Sequence, residues 1–271
     1  MKPNLALVKL SEITALTDIN NNKVEAINNM INDFDIIRNP LAVMPCPDKS
    51  GYYLLEDSSI LESLRRAELE YVPAQIVDSA DSFSVEIVLY TGENILPLLD
   101  EFNRLFPRAL MMSTEDKSGK DLNDGVLVSI ENQNHPIVIV SFRRLANKSI
   151  PLSFFNFLKF IKTRSRAGGS FYPFEIKSKN IKEFSTISAI STLNINFDDI
   201  LTAVKSGHLF PSLSLHFKFD YRILGIDFPL TVLKSEAVPS EKEKFYFDLV
   251  NFRLSSGSSE FVGNNVYFLN Y

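Results

Sequence analysis

The first third of the chain alternates short apolar runs with longer patterns of helical period. Over 20–37, apolar residues recur every three or four positions, which predicts a helix with Asn20 as its cap and Pro40 beyond its end. A second helix follows, with Ser58 or Ser59 as its cap. The short runs predict strands at 6–8, 41–44, 52–55 and 72–77. This alternation indicates a compact α+β module.

The rest of the chain mixes the same two patterns without an internal repeat. Strands are predicted over 84–89, 125–130, 136–142, 213–219, 222–228 and 265–269. Helices are predicted over 95–105, 197–206 and 244–252, and in the phenylalanine-rich stretch after Pro151. We therefore expect an α+β protein with one domain over 1–85 and a mixed α/β lobe over 86–271.

Composition narrows the classes of protein and of site. The chain has 271 residues and a net charge of −5, which argues against wholesale nucleic-acid binding. Its one cysteine, Cys46, excludes an internal disulfide and a cysteine-rich zinc site. No apolar run reaches the roughly 18 residues of a transmembrane helix, and the apolar stretch near the N-terminus is too short for a signal peptide. These features predict a cytoplasmic protein without a membrane partner.

Basic residues are concentrated in one segment, over 143–182, which begins with Arg143 and ends with Lys182. It holds ten basic residues and one acid, Glu175, so its net charge is +9 and the rest of the chain carries −14. Such a segment can engage an acidic or phosphorylated partner. The alternative is a solvated helix face that balances the acidic remainder, and the core-like spacing of Phe154 and Phe157 favours it.

Three stretches in the N-terminal part have the composition and spacing of a known sequence motif. The sequence reads IRNPLAV over 37–43, YYLLEDSSI over 52–60 and VPAQ over 72–75. This pattern resembles the nucleotide-binding box of ParB/sulfiredoxin-like domains, in which a strand ending in hydrophobic-Asp-Gly-x-His-Arg opens a helix. The resemblance implies a ParB/sulfiredoxin-like fold for the N-terminal domain.

A second resemblance covers the C-terminal part. The sequence reads VKSG over 204–207, RIL over 222–224 and FPL over 228–230. These motifs are similar to the C-terminal part of free serine kinases, which phosphorylate the hydroxyl of free L-serine to give O-phospho-L-serine. The branch it most resembles serves siderophore biosynthesis. The resemblance implies ATP or ADP with Mg²⁺ as cofactors, and an amino acid or a nucleotide as the small-molecule ligand.

The chain departs from the motif of these kinases at several positions. Glu56 stands where the family has aspartate, and Asp57 stands where it has a glycine that lets the backbone approach phosphate. Ser59 and Ile60 replace a His-Arg pair. An isoleucine cannot make the charge-assisted phosphate contacts of an arginine.

The two remaining positions concern the base and a distant phosphate contact. The family's catalytic glutamate aligns with Thr17, and Asp18 lies next to it. A shift by one residue would make Asp18 the base that accepts the serine hydroxyl proton. His216 occupies the position of a family arginine and, when protonated, can contact phosphate.

The candidate catalytic residues are therefore Asp18 and Glu56. The candidate cofactor-binding residues are Asp57, Ser58, Ser59 and His216. The histidines lack metal-ligand spacing, so no protein metal site is predicted.

Three functions stay open. The first is a divergent, catalytically impaired homologue of free serine kinases that acts as a ligand-binding or partner protein in a biosynthetic pathway. The second is an active ATP- or ADP-dependent kinase for free L-serine. The third is a regulatory nucleic-acid-binding protein, which the acidic balance disfavours. The sequence therefore leaves open whether the protein is an enzyme.

Overall fold

The computed structural model describes residues 4–48, 50–91, 95–107, 111–113, 125–132, 135–143, 150–164, 188–192, 195–256, 259–261 and 266–269. The chain folds into two compact units. The first unit combines Met1–Ser84 with Phe217–Tyr271, and the second is Val85–His216. The mixed α/β fold class is confirmed, whereas domains over 1–85 and 86–271 stay a prediction.

The helices and strands are numbered along the chain. The strands are β1 (Leu5–Lys9), β2 (Ile13–Thr14), β3 (Ile36–Ile37), β4 (Leu41–Pro45), β5 (Tyr52–Leu54), β6 (Tyr71–Ile76), β7 (Phe83–Thr91), β8 (Met111–Ser113), β9 (Gly125–Asn132), β10 (His135–Arg143), β11 (Ser188–Thr192), β12 (Leu215–Phe219), β13 (Arg222–Leu224), β14 (Phe228–Pro229), β15 (Ser259–Phe261) and β16 (Val266–Leu269). The helices are α1 (Asn21–Phe34), α2 (Ser58–Arg66), α3 (Ile95–Leu105), α4 (Leu152–Arg164), α5 (Phe197–Lys205), α6 (Leu230–Lys234) and α7 (Pro239–Ser255).

A five-stranded sheet in the order β1-β6-β4-β5-β2 forms the base of the first unit. Strand β6 pairs antiparallel with β1 and parallel with β4, so it lies inside the sheet. The first four residues of β4 are all buried, as expected for an inner strand covered on both faces. The strands predicted near 6–8, 41–44, 52–55 and 72–77 are confirmed, with bounds that differ by a few residues.

Helix α1 begins as predicted and ends earlier than predicted. The Asn20 side chain accepts a hydrogen bond from the backbone N–H of Lys23 at 3.3 Å and caps the helix. The helix ends at Phe34 because Asp35 adopts a left-handed backbone with φ of 53°. The next two residues form β3, which pairs with β14 from the distant C-terminal part of the chain. The prediction that the helix continues to residue 37 is therefore wrong.

The cap of α2 also differs from the prediction. Asp57 has the extended backbone of a capping residue, and its side chain accepts a hydrogen bond from the N–H of Ser59 at 3.0 Å. Ser58 and Ser59 are the first two helical residues and not the cap. A carboxylate is well placed at this end because the first turn of a helix carries partial positive charge.

The C-terminal part of the chain completes the first unit. Strand β13 pairs parallel with β16, which also pairs antiparallel with β15. The single strand predicted over 222–228 is instead broken into β13 and β14. Gly225 and Asp227, with φ of 69° and 42°, turn the backbone between them. Helix α7 is longer than predicted and begins at Pro239, a residue suited to the first helical position.

Both parts of the first unit contribute to one core. The N-terminal contribution includes Val8, Leu41, Leu54 and Leu61. The C-terminal contribution includes Ile223, Ile226, Phe228, Tyr246 and Val250, all at most 1% exposed. The N-terminal sheet and α7 therefore share one hydrophobic cluster.

The second unit contains β7, β11, β9, β10 and β8, which are neighbours in this order in a six-stranded sheet that begins with β12. The predicted pairing of the strands near 125–130 and 136–142 is confirmed as antiparallel β9 and β10. Helix α3 matches its predicted bounds, and α4 follows Pro151 as expected. Phenylalanines 102, 142, 154 and 157 form a buried aromatic cluster, so the spacing in α4 is that of a core face. Within the described ranges no helix is long and apolar enough to cross a membrane.

Candidate functional site

The candidate site lies in the first unit, where the loop before α1 meets the start of α2. Thr17 and Ser58 are joined by three hydrogen bonds. The N–H and the hydroxyl of Thr17 donate to Ser58 Oγ at 3.2 and 2.9 Å, and the N–H of Ser58 donates to Thr17 Oγ1 at 3.0 Å. Both residues are at most 2% exposed. Such a reciprocal contact fixes the loop against the helix without leaving these buried backbone donors unpaired.

A second contact fixes the other end of the same loop. The backbone N–H of Asn20 donates to Ser59 Oγ at 3.0 Å, and Ser59 is fully buried. One turn further along α2, Ser63 donates its hydroxyl to the carbonyl oxygen of Val24 in α1 at 3.2 Å. Asp18 is half-buried in the loop between the two fixed residues, so its backbone position is tied to the start of α2.

The carboxylate of Asp57 forms an ion pair inside the protein. Its Oδ1 lies 3.4 Å from Nζ of Lys23 and also accepts the N–H of Ser59. Only 8% of the Asp57 side chain is exposed. The carboxylate therefore serves α2 as a cap and α1 as an ion-pair partner.

The first backbone donors of α2 are all used internally. The N–H of Ser58 donates to Thr17, and the N–H of Ser59 donates to the Asp57 carboxylate. The N–H of Ile60 donates to the carbonyl oxygen of Asp57 at 3.2 Å. A helix N-terminus binds phosphate through these donors when they point at the ligand. Here the protein's own oxygen atoms accept all three hydrogen bonds, and one of these oxygens belongs to a carboxylate.

Glu56 points towards a different partner. Its Oε1 accepts the backbone N–H of Ala42 at 3.2 Å and is in direct contact with the guanidinium of Arg222. The same guanidinium donates to the carbonyl oxygen of Pro40 at 2.7 Å. The side chain of Arg222 is 8% exposed and that of Glu56 is 24% exposed. The pair therefore joins the end of β5 to β13.

Gln75 completes this group. Its Oε1 accepts the N–H of Ile223 at 3.0 Å and a guanidinium hydrogen of Arg222 at 3.4 Å. Its Nε2 donates to the carbonyl oxygen of Tyr221 at 2.9 Å. Gln75 is 4% exposed, so a buried amide and a buried guanidinium satisfy each other.

The two neighbouring carboxylates do not fit a shared Mg²⁺ ion. Glu56 is held by Arg222, and Asp57 is held by Lys23 on α1. Mg²⁺ needs near-octahedral oxygen ligands directed at one point. Among the described residues, no group of three or more His, Cys, Asp or Glu side chains is placed to hold a metal ion.

The structure brings together some of the predicted residues and separates others. Asp57, Ser58 and Ser59 meet the loop that carries Asp18. Glu56 is adjacent in sequence but turns towards Arg222. The prediction for His216, which is half-buried in the second unit, stays a prediction.

The sequence interpretation missed three residues of this region, namely Lys23, Gln75 and Arg222. A usable signal existed for two of them. Gln75 and Arg222 are single polar residues in otherwise apolar strand patterns, and a buried polar group requires a partner. Nothing in the sequence marks Lys23.

The backbone over most of the chain resembles solved structures of two kinds of protein. SbnI from Staphylococcus aureus, with a C-terminal truncation, matches with a TM-score of 0.64 and 15% identity, over 93% of this chain and 97% of that one. A free serine kinase in complex with AMP matches with a TM-score of 0.61 and 11% identity, over 86% of this chain and 95% of that one. A mutant free serine kinase in complex with ADP gives the same values.

The chain has the free serine kinase fold. Both kinds of neighbour are ParB/sulfiredoxin-like, so the predicted fold is confirmed. No protein-family model matches the sequence, and no curated protein matches it. The free serine kinase fold is thus shown by backbone geometry at sequence identities of 11–15%.

Proposed function

We propose that this protein is a catalytically impaired homologue of free serine kinases that acts as a ligand-binding or partner protein in a biosynthetic pathway. The observation that carries the proposal is the start of α2. Its first N–H groups are paired with Thr17 and Asp57, and the Asp57 carboxylate lies where phosphate charge would need positive surroundings. In this proposal the chain keeps the fold of the free serine kinases, and the turn at the start of α2 serves as a structural contact and not as a phosphate site.

The state of Glu56 supports the same proposal. A general base must reach the hydroxyl proton that it accepts. The Glu56 carboxylate is already engaged with Arg222 and with the N–H of Ala42. Glu56 therefore acts in this proposal as part of the scaffold.

The ligand in this proposal is an amino acid or a nucleotide whose phosphates gain nothing from α2. Adenosine, AMP and ADP, each titrated calorimetrically with and without Mg²⁺, separate base recognition from phosphate recognition. We expect ADP to bind no more tightly than adenosine. Incubation with L-serine, Mg²⁺ and either ATP or ADP is expected to give no O-phospho-L-serine by mass spectrometry. Formation of several molecules of O-phospho-L-serine per protein molecule would overturn the proposal.

A pair of variants tests whether Asp57 is the residue that prevents phosphate from binding at the start of α2. Asp57→Gly restores the glycine of the kinase motif, releases the Ser59 N–H and releases Lys23, so we expect ADP affinity to rise about 10-fold while adenosine affinity stays unchanged. Asp57→Asn is the matched control, because it removes the charge but keeps a capping oxygen. The increase in ADP affinity should be smaller for Asp57→Asn than for Asp57→Gly. Equal ADP affinities in all three proteins would contradict a phosphate site blocked by Asp57.

An active kinase for free L-serine is the second candidate, and the position of Asp18 favours it. The loop that carries Asp18 is fixed to α2 at Thr17 and at Asn20, so its carboxylate has the fixed backbone that a general base needs. This candidate predicts phosphoserine formation that Asp18→Asn abolishes. Asp33→Asn, a change of an exposed aspartate on α1, is the control that leaves turnover unchanged.

In this proposal the basic segment over 143–182 binds an acidic or phosphorylated partner through its positive charge. Within the described ranges, Arg164 lies in α4 and pairs with Glu101 at 2.9 Å. Most of the segment lies outside the described residues, so binding of an acidic or phosphorylated partner rests on its charge alone. Retention on heparin that falls after Arg164→Gln would support a polyanion-binding surface. Nucleic acid remains a less favoured partner because the whole chain is acidic.

A further inference from the structure

A groove between α1 and α2 in the first unit has mostly apolar walls. They include Ile27 and Met30 of α1 and Ile60 and Leu64 of α2, and Phe34 is the last residue of α1. The groove has a volume of about 390 Å³. Among the described residues, none of those whose side chains join the loop before α1 to the start of α2 lines it. The groove is therefore distinct from the candidate site described above.

The apolar face of α1 continues from the core onto the rim of this groove. Ile27, Met30, Ile31 and Phe34 share one face of the helix, because they recur at steps of three and four residues. Ile31 is 6% exposed, whereas Met30 is 54% and Phe34 is 68% exposed. A ligand that covers Met30 and Phe34 removes apolar surface from water, which lowers the free energy. Met30 can adapt to the shape of a ligand because its side chain is flexible.

The polar residues in the described lining, Arg38, Asn39 and Asp227, are engaged within the protein. The Asp227 carboxylate lies 3.5 Å from a guanidinium nitrogen of Arg253. The side-chain oxygen of Asn39 accepts the N–H of Gly225 at 2.8 Å. Arg38 has an interaction partner of its own. A charged ligand group placed against the apolar walls would therefore lose hydration without gaining an unpaired counter-charge from this lining.

The volume of the groove limits the size of its ligand. A dry apolar cavity of about 150 Å³ lined by Leu, Ile and Phe binds benzene. The groove is more than twice as large and is lined by the same kinds of residue. A molecule of roughly eight to twelve carbon atoms therefore fills it.

We propose that the groove binds an uncharged, predominantly hydrocarbon molecule of this size. The hydrocarbon lies between Ile27 and Ile60 and covers Met30 and Phe34. The apolar area that the ligand buries determines its affinity, and charge contributes nothing favourable. This ligand is additional to the amino acid or nucleotide of the proposed function, and its binding does not depend on that function.

1-Octanol is the probe, titrated into the full chain labelled with ¹³C at the methionine methyl groups. We expect the Met30 methyl resonance to shift and to saturate with a dissociation constant on the order of 0.3 mM, within the range of affinity per atom of small ligands. Met44, which is buried on β4, is the internal reference and should not move. The absence of a saturable Met30 shift up to about 3 mM would overturn the proposal.

The charge of the probe tests the neutral character of the site. Octanoate and octylammonium have the same chain as octanol, and both should bind at least about 5-fold more weakly, because neither sign of charge finds an unpaired partner. An ion of either sign that binds as tightly as octanol would contradict a site for uncharged ligands.

The length of the probe tests the role of apolar area. Each CH₂ group removed from octanol should weaken binding about 3-fold, slightly less than the ~4-fold expected for a fully buried CH₂. Equal affinities for hexanol and octanol would overturn binding by apolar burial.

Two exposed phenylalanines give a matched pair of variants. Phe34→Ser removes apolar surface at the groove and should weaken octanol binding about 5-fold. Phe252→Ser makes the same change on α7, where the side chain is 69% exposed and lies outside the groove, and should leave binding unchanged. Both side chains are exposed, so both variants are expected to fold, which melting temperatures verify. Equal losses in both variants would contradict a site at this groove.

A second copy of the chain is the alternative occupant of the groove, and analytical ultracentrifugation detects it. We expect the protein to show no self-association that depends on Phe34. Dimerisation that Phe34→Ser abolishes, with no octanol binding by the monomer, would overturn the proposal.

Discussion

The guanidinium of Arg222 lies against the carboxylate of Glu56, although 166 residues separate them in the sequence. The contact joins the strand that precedes α2 to a strand from the C-terminal part of the chain. It also engages the carboxylate that the sequence resemblance aligns with an aspartate of the kinase motif. One contact thus ties the first unit together and engages a candidate catalytic group.

Removing Arg222 tests how much this contact contributes to the free energy of unfolding. Arg222→Ala removes the guanidinium that contacts Glu56, Gln75 and the Pro40 carbonyl. We expect the free energy of unfolding to fall by about 2–3 kcal/mol, less than the roughly 3–5 kcal/mol of a fully buried pair, because Glu56 is partly exposed and can be rehydrated. Urea denaturation measures the change.

The matched control for that prediction is the exposed ion pair between Arg66 and Glu62, one turn apart on α2. Arg66→Ala should cost less than about 0.5 kcal/mol, because water screens an exposed pair. Similar losses for Arg66→Ala and Arg222→Ala would show that the Glu56 contact adds nothing beyond an ordinary surface pair.

The hydroxyl of Thr17 is expected to be essential for the contact between the loop and α2. Thr17→Val keeps the side-chain shape but leaves the buried N–H of Ser58 without an acceptor, which should cost about 1–3 kcal/mol. Thr17→Ser retains the oxygen and should cost less. A double-mutant cycle with Ser58→Ala measures the coupling, and additive effects would contradict the reciprocal contact.

Two glycines give contrasting stability predictions. Gly51 has φ of 140°, and a Cβ there would collide with the carbonyl oxygen of Glu12. We expect Gly51→Ala to destabilise by more than about 2 kcal/mol, since backbone strain and a backbone clash add. Gly207 has φ of 83° with open space around it, so Gly207→Ala should cost about 1 kcal/mol from strain alone. Equal melting temperatures for the two variants would be the contrary result.

Tyr246 should make the protein less stable at high pH. Burial raises the pKa of Tyr246 above its ordinary value of about 10, and the charge of Arg222 offsets part of the rise. Above pH 10 the unfolded chain therefore loses this proton while the folded protein keeps it. The Tyr246 contribution is fully present below pH 10 and is lost as the pH rises further.

Tyr246→Phe removes that contribution. Between pH 10 and 12, the variant should lose stability less steeply than the wild type, by about 1.4 kcal/mol per pH unit. Near pH 7 it should lose only about 0.5–1 kcal/mol, the value of its 3.3 Å hydrogen bond to the Ala74 carbonyl. Denaturation at several pH values checks both, and parallel pH profiles would contradict the effect of burial.

Local patterns in the sequence predicted the elements that depend on local contacts. Helix α3 has its predicted bounds because its apolar residues keep one period from Ile95 to Leu105. The end of α1 could not be predicted in this way. Pairing with β14 draws Ile36 and Ile37 into a strand, and that partner lies about 190 residues away.

The site shows the same division between local and distant contacts. Its position at the start of α2 follows from a motif within a few residues of sequence. Which groups Glu56 and Asp57 contact does not, because their partners Arg222 and Lys23 come from other elements. The choice of Asp57 as cap depends on Ser58 and Ser59 being engaged by the loop before α1. A single sequence carries no record of those pairings.

The first unit is formed by two segments that the second unit separates in the sequence, and this affects its folding during synthesis on the ribosome. Strand β3, Glu56 and Gln75 emerge early, but their partners emerge only after the second unit has been made. A nascent chain that stops before residue 217 should therefore hold all five strands of the N-terminal sheet but lack the C-terminal residues of the core, which leaves apolar residues of the sheet unprotected. Its protection from proteases should appear only once α7 has left the exit tunnel. The apolar residues of this uncovered sheet must be kept from aggregating throughout the elongation of more than a hundred intervening residues.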